Sequence, residues 1–212
     1  ATVTLLALLD LWAPLAQAPP KNLGPYLWPD LVEVVRLDPT IRLDIRYATA
    51  SNFTGRAVYD DARAFLQRPA AEALVRAHRA LKDKGFGIVI FDAYRPFSIT
   101  KLFWEITPVE KRAYVANPKK GSVHNRGCAV DVTLCDFQTG RKVEMPSAYD
   151  EFGEAASPKY AGGSAAARAN RDLLIAAMKA EGFAVRFNEW WHFDYKDSKK
   201  YPILNAPFVA LE

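Results

Sequence analysis

Two long helical segments, each ended by a glycine, most constrain what this chain can fold into. In residues 69–85 apolar side chains recur at helical spacing, with Pro69 suited to the first turn and Gly85 to the end. Residues 165–181 repeat the pattern, and Gly182 ends that segment. Each helix therefore has one apolar face to bury, and each is followed at once by a segment of a different pattern.

Short apolar or alternating segments lie around these helices and predict strands. They are residues 43–47, 87–91, 129–134 and 184–195, with a turn at Thr139-Gly140 that leads into a further strand. Because helices alternate irregularly with short strands and a hairpin, we expect an α+β fold and not a parallel doubly wound sheet. The 212 residues fit one domain. It would contain a small, mostly antiparallel sheet with flanking helices.

Composition narrows the classes of function. With 50% hydrophobic and 25% charged residues the chain is of ordinary globular type. The net charge is +4, without a block of Lys and Arg, so we expect no nucleic-acid partner. No segment suggests a membrane span or an obligate protein partner. Cys128 and Cys135 are too few for a disulfide scaffold, and the sequence leaves open whether they are bonded to each other.

The first residues are set apart from the rest. An apolar run over residues 4–18 ends in Ala16-Gln17-Ala18, as before a signal-peptide cleavage site, but Asp10 interrupts it and no basic residue precedes it. Two interpretations stay open for residues 1–20. A signal-peptide remnant would place the protein in the periplasm or outside the cell, whereas a short N-terminal helix would leave it cytoplasmic. Residues 21–212 form the predicted domain in either case.

Two of the three histidines lie close to carboxylates in the sequence, which is the ligand chemistry of a catalytic zinc site. His124 precedes Asp131 by seven residues, and Glu189 precedes His192 by three. An odd separation would put His124 and Asp131 on opposite faces of one strand. A shared site therefore requires His124 to lie before the strand, with a bend at Gly127. Spacing alone leaves ordinary hydrogen bonds between these groups as an alternative.

The full motifs are more specific than the spacing. Ser122-x-His124-x-x-Gly127-x-Ala129-x-Asp131, followed by Glu189-x-Trp191-His192, resembles the signature of the zinc D,D-peptidases that act on bacterial cell-wall peptides. Within that group the chain resembles the D-alanyl-D-alanine dipeptidases of the vancomycin-resistance VanX type. Further matches lie at residues 46–49, 52–55 and 92–96. The resemblance extends from about residue 41 to about residue 195.

The resemblance implies one zinc ion per chain with three protein ligands, a general base, a transition-state arginine and three substrate contacts. In that order, these residues are His124, Asp131 and His192; Glu189; Arg95; and Ser122, Asp150 and Tyr47. Ser122 would lie near the substrate carboxylate and Asp150 near its ammonium group. For Tyr47 two interpretations stay open, a place in the wall of the pocket or in the core. The sequence around Asp150 departs from the family pattern.

These roles predict a zinc metallopeptidase whose metal-activated water hydrolyses the small dipeptide D-Ala-D-Ala to two D-alanines, in a cleft of the fold. A zinc D,D-carboxypeptidase or peptidoglycan endopeptidase acting on longer peptides is the nearest alternative. A non-catalytic, zinc-stabilised cell-wall binding module is an alternative of another class. Glu189 argues against that module, because a structural zinc site needs neither an open position nor a base.

Overall fold

A five-stranded sheet forms the centre of the computed structural model, which describes residues 19–21 and 24–211. The strands are β1 (Leu31–Glu33), β2 (Arg42–Leu43), β3 (Phe65–Gln67), β4 (Phe86–Asp92), β5 (Ala129–Asp136), β6 (Phe183–Arg186) and β7 (Glu189–Tyr195). The central sheet has the order β2-β4-β5-β7-β6, while β1 and β3 pair separately. Only the β2–β4 pair in the central sheet is parallel, so the predicted α+β, mostly antiparallel fold is confirmed.

Two helices pack together and against this sheet. The α-helices of the described residues are α1 (Val34–Leu37), α2 (Arg68–Lys82), α3 (Phe97–Ile106) and α4 (Ala165–Ala180). Helix α2 contacts β4, α4 contacts β6, and the two helices contact each other. The Ser164 hydroxyl caps α4 by accepting a hydrogen bond of 3.0 Å from the Ala167 N–H. Gly85 and Gly182 follow the two helices with positive φ, as expected of glycines that end helices.

The helical faces predicted from the sequence are buried. Leu74 and Leu81 of α2, and Leu174 and Met178 of α4, have no more than 1% of their surface exposed. Each such side chain contributes about 1.5–3 kcal/mol through removal from water. His78 lies on the same face of α2 and is also fully buried. Its ring therefore belongs to the core, away from the other two histidines.

Three details of the sequence interpretation are wrong. Residues 43–47 were expected to be one strand, but β2 ends at Leu43 and Arg46–Ala48 forms a 3-10 helix, which buries Tyr47. The turn at Thr139-Gly140 exists, yet the segment after it pairs with β5 only by a Cys135–Lys142 bridge. Residues 184–195 form two strands, β6 and β7, because the chain reverses between Arg186 and Glu189.

Cys128 and Cys135 are both buried free thiols. Within the described residues no helix is long and apolar enough to cross a membrane. The signal-peptide remnant or helix expected over residues 1–20 falls almost wholly outside the described part of the chain.

Candidate metal centre and active site

The sheet register brings a row of polar residues together on three neighbouring strands. Asp131 of β5 is the cross-strand partner of His192 of β7. On its other side Asp131 pairs with Asp92, the last residue of β4, next to a register shift. All three are at least 97% buried. The sheet therefore fixes the backbones of these residues side by side, inside the protein.

His124 reaches the same place from outside the sheet. It lies in a 3-10 turn, His124–Arg126, which ends at Gly127 with a left-handed φ of 66° immediately before β5. A side chain at Gly127 would be strained by that φ and would collide with Leu31. The bend at Gly127 therefore lets His124 and Asp131 face each other, in the arrangement that their odd separation required.

Three potential ligand atoms converge here. His124 Nε2 lies 3.4 Å from Asp131 Oδ1 and 3.2 Å from His192 Nδ1, and the last two atoms are 3.1 Å apart. Zinc bonds of about 2.0–2.1 Å in a tetrahedron would separate neighbouring ligand atoms by about 3.3–3.4 Å. Asp131 Oδ1 is the one buried side-chain polar atom of the described residues without a hydrogen-bond partner. The donor set and its spacing therefore fit a zinc ion.

The other ring nitrogen of each histidine has a hydrogen-bond partner. His124 Nδ1 donates to the Ala93 carbonyl at 2.7 Å, and His192 Nε2 donates to Asp194 Oδ1 at 2.9 Å. Since both acceptors lack a proton to give, the neutral form of each histidine has its lone pair on the nitrogen that faces Asp131. Three lone pairs then point at one buried space, an arrangement that a cation stabilises.

Two of the groups that orient these side chains were not identified from the sequence. Asp194 lies two residues after His192 on β7, so the two side chains share a strand face. That two-residue spacing could have identified Asp194 from the sequence. The Tyr149 hydroxyl donates to Asp131 Oδ2 at 2.9 Å. Tyr149 comes from a loop, and no periodicity could have placed it there.

Glu189, the predicted general base, begins β7 and lies beside the convergent atoms. Its Oε2 is 3.6 Å from His192 Nδ1, and its Oε1 is 3.6 Å from Arg186 Nε. The residue is 94% buried, and burial raises the pKa of its carboxyl above the usual value. Glu189 does not belong to the convergent set of ligand atoms. It is placed to exchange protons in the pocket.

A buried carboxylate holds the Arg95 side chain in place. Its Nε and Nη2 donate to Asp92 Oδ2 at 3.0 and 2.6 Å. The Tyr59 hydroxyl donates to Asp92 Oδ1 at 2.7 Å, and Arg95 lies over the Tyr47 ring. Burial opposes the charge on Arg95, but Asp92 and the neighbouring tyrosines together outweigh it and raise the pKa of the guanidinium. Asp92 and Tyr59 are further positioning groups that had no assigned role in the sequence.

Asp150 and Tyr47 meet at another part of the pocket. The Tyr47 hydroxyl donates to Asp150 Oδ2 at 2.8 Å. Asp150 is the only non-glycine residue in the described chain with a positive φ, 58°, a conformation that Asp tolerates better than most residues. Burial, together with the charge of Asp131, raises the pKa of Asp150 to about 8. A cation bound beside it would favour its charged form.

Ser122 completes the set of predicted residues. Its hydroxyl accepts a hydrogen bond of 3.2 Å from the His124 N–H, and its side chain lines the same pocket. All eight residues named from the sequence, Tyr47, Arg95, Ser122, His124, Asp131, Asp150, Glu189 and His192, line this one pocket. Its cavity volume is only about 40 Å³. The site is therefore small and polar.

Comparison with known proteins agrees with this geometry. The family model described as D-ala-D-ala dipeptidase, Peptidase_M15, matches residues 29–211. This chain belongs to that D-Ala-D-Ala dipeptidase family. The predictions of a zinc metallopeptidase, and of D-Ala-D-Ala hydrolysis as its reaction, are confirmed by the membership.

Several D-alanyl-D-alanine dipeptidases are similar over most of the chain. The one from Escherichia coli (strain K12) is 35% identical, over 84% of this chain and 91% of its own length. That from Enterococcus faecium is 33% identical, over 76% and 89%. That from Streptomyces coelicolor is 33% identical, over 79% and 92%. The solved structure of the LdcB LD-carboxypeptidase is only loosely similar, with a TM-score of 0.43 and 21% identity over 64% of this chain and 62% of that one.

Proposed function

We propose that this dipeptidase hydrolyses D-Ala-D-Ala at one zinc ion per chain, held by His124, Asp131 and His192. The observation that carries the proposal is the convergence of two imidazole nitrogens on Asp131 Oδ1, a buried oxygen without a hydrogen-bond donor. Such an oxygen is costly to bury unless a cation compensates it. Two neutral imidazoles and one carboxylate are a ligand set of catalytic zinc sites.

The protein side chains around this set suit peptide hydrolysis. When bound there, zinc would polarise the scissile carbonyl and lower the pKa of a water molecule towards about 7. Glu189 accepts a proton from the attacking water while the water oxygen bonds to the carbonyl carbon. Glu189 then donates that proton to the leaving amine as the C–N bond breaks, and two D-alanines result. Its raised pKa suits this second step, because a raised pKa helps the carboxyl to hold the proton.

Arg95 is assigned to the oxyanion that develops on the carbonyl oxygen. Asp92 fixes one edge of the buried guanidinium, so its charge is oriented before the substrate arrives. A preorganised donor of this kind stabilises the transition state more than the ground state. Removing one typically costs about 2.7–4 kcal/mol of barrier.

The two charged ends of the dipeptide are assigned to opposite partners. Asp150, with its hydrogen bond from Tyr47, would bind the ammonium group, and Ser122 would bind the carboxylate. The ammonium group stabilises the charged form of Asp150, which burial disfavours. Acylating the amino end would leave that carboxylate without its partner and add bulk in a small pocket.

Turnover of two matched substrates tests this assignment. We expect free D-Ala-D-Ala to be cleaved at least about a hundredfold faster than N-acetyl-D-Ala-D-Ala, since an unpaired buried charge costs several kcal/mol. Asp150→Asn should slow cleavage of the free dipeptide and narrow the gap. Asp136→Asn, at the far end of β5, is the matched control and should leave both rates unchanged.

The same assay separates the alternative functions. Efficient release of D-Ala from a muramyl pentapeptide would favour the carboxypeptidase over the dipeptidase. A protein that binds zinc and cell-wall peptides without any turnover would be the binding module. The small volume of the pocket supports the dipeptidase.

A further inference from the structure

A second, larger cavity lies directly beside the catalytic pocket. Its volume is about 470 Å³, against about 40 Å³ for the pocket. Four residues line both spaces: Phe53, Tyr114, Asp150 and Phe152. The larger volume is within the range of ordinary ligand sites, about 300–1,000 Å³, whereas the smaller is far below it. The two cavities are therefore adjacent, and the side chains of these four residues form the wall between them.

Aromatic stacking builds the wall. The rings of Tyr114 and Phe152 are stacked, with centroids 4.5 Å apart and an angle of 18° between their planes. Phe53 lies 6.1 Å from Phe152 and 5.0 Å from Phe103 of α3, so it supports the stack from within. Tyr114 ends the 3-10 helix Val109–Tyr114, while Phe152 lies in a loop. The wall therefore depends on two side chains from outside the sheet.

Asp150 connects the wall to the amino end of the substrate. It lines both cavities, and under the proposed function, on which this step rests, it binds the ammonium group of the dipeptide. A residue added to the amino end of the substrate would leave the pocket at Asp150. It would meet the Tyr114–Phe152 stack and, behind it, the larger cavity.

We propose that the Tyr114–Phe152 stack is the element that excludes N-terminally extended peptides, and that the larger cavity would hold the added residue if the stack were removed. The lining of this cavity is mixed. Ile106 and Pro108 are apolar, Thr54 and Thr107 carry hydroxyl groups, and Lys111 and Asp150 are ionisable. Substrate length is then set by two aromatic side chains that touch neither the metal ligands nor Glu189 in the described contacts.

Truncation of the stack tests the proposal. The substrates are D-Ala-D-Ala and the tripeptide Gly-D-Ala-D-Ala, with release of C-terminal D-Ala measured for both. In Phe152→Ala and Tyr114→Ala the ratio of kcat/KM for tripeptide to that for dipeptide should rise at least tenfold. Tyr114→Phe retains the stack and should keep the original ratio. Phe187→Ala removes an aromatic ring that is 82% exposed and lines neither cavity, so it is the matched control.

The outcomes are distinguishable from failure of the proposed function. An unchanged ratio in Phe152→Ala and Tyr114→Ala, with melting temperatures like that of the unmodified protein, would overturn the role of the wall. If one alanine variant does not fold, Phe152→Leu keeps the apolar volume without the stack and should also raise the ratio. Loss of the proposed function would instead appear in the unmodified protein, as dipeptide cleavage that does not depend on Glu189.

Discussion

Asp131 and His192 are cross-strand partners in β5 and β7, and Asp131 Oδ1 lies 3.1 Å from His192 Nδ1. The backbone register alone thus brings together an oxygen and a nitrogen that could bind a metal, and His124 is added from a turn. A site built on paired strands is held more rigidly than one built on loops. This relationship makes Asp131 the central side chain of the proposed metal site.

Removal of the Asp131 carboxylate should therefore remove the metal. We expect the unmodified protein to contain about one zinc ion per chain and Asp131→Ala to lose most of it. Zinc content after dialysis, measured by elemental analysis, checks this. Asp136→Ala, on the same strand, should retain the full content. Full occupancy in Asp131→Ala would show that the ligands are assigned wrongly.

Asp194 should affect zinc affinity without being a ligand. Its carboxylate accepts a hydrogen bond from His192 Nε2 and so keeps the lone pair of Nδ1 directed at the site. Losing such a partner typically costs about 10–100-fold in metal affinity. Competition with a chromophoric chelator should reveal that loss in Asp194→Ala. Asp197→Ala removes a carboxylate that pairs with Lys200, and it should bind zinc normally. Equal zinc affinity in Asp194→Ala and Asp197→Ala would show that Asp194 does not position His192 for metal binding.

Arg95 should act on the rate more than on binding. Its contact with the carbonyl oxygen strengthens as negative charge develops, so Arg95→Ala should lower kcat by about 10²–10³-fold. The KM for D-Ala-D-Ala should change less. Steady-state kinetics of the zinc-loaded variant measure both constants. Arg76→Ala, on the surface of α2, serves as the control. A change confined to KM would make Arg95 a ground-state binding residue.

Much of the fold, and the convergence of the site residues, could be predicted from the sequence. The two amphipathic helices and the strands β4 and β5 had strong local signals, namely glycine ends and apolar runs. The seven-residue spacing also required His124 to lie before the strand, where the structure has it. The strands β1 and β3 were missed because three residues are too few to display a period.

The orienting contacts of the site depend on tertiary structure instead. Asp194 could have been found from its alternation with His192. Tyr149 reaches Asp131 from a loop, and the Asp92–Tyr59 hydrogen bond joins residues 33 positions apart. Such contacts are set by how the elements pack, and no local pattern encodes them. The same holds for the stacking of Tyr114 on Phe152.

His78 should make stability depend on pH. Its Nδ1 accepts a hydrogen bond of 3.1 Å from the Ile88 N–H, which requires a neutral ring with the proton on Nε2. Burial lowers the pKa of His78 below the usual value of 6.5. The unfolded chain therefore binds more protons below about pH 6.5, so the free energy of unfolding falls as the pH decreases from there.

A neutral replacement should remove that dependence. Asn can accept the hydrogen bond from Ile88 but does not titrate. Urea unfolding at pH 7.5 and pH 5, at equal zinc content, should show a larger loss of unfolding free energy for the unmodified protein than for His78→Asn. Because both proteins contain the same other titrating groups, the difference between their losses reports on His78. An equal loss in both proteins would mean that His78 does not contribute to the acid sensitivity.

The most direct test of the mechanism is zinc content and D-Ala-D-Ala turnover measured on the same sample of Glu189→Gln. Because Glu189 is proposed to move protons and is not among the convergent ligand atoms, we expect full zinc content with kcat lowered by about 10²–10⁴-fold. Turnover close to that of the unmodified protein, with zinc still bound, would contradict it.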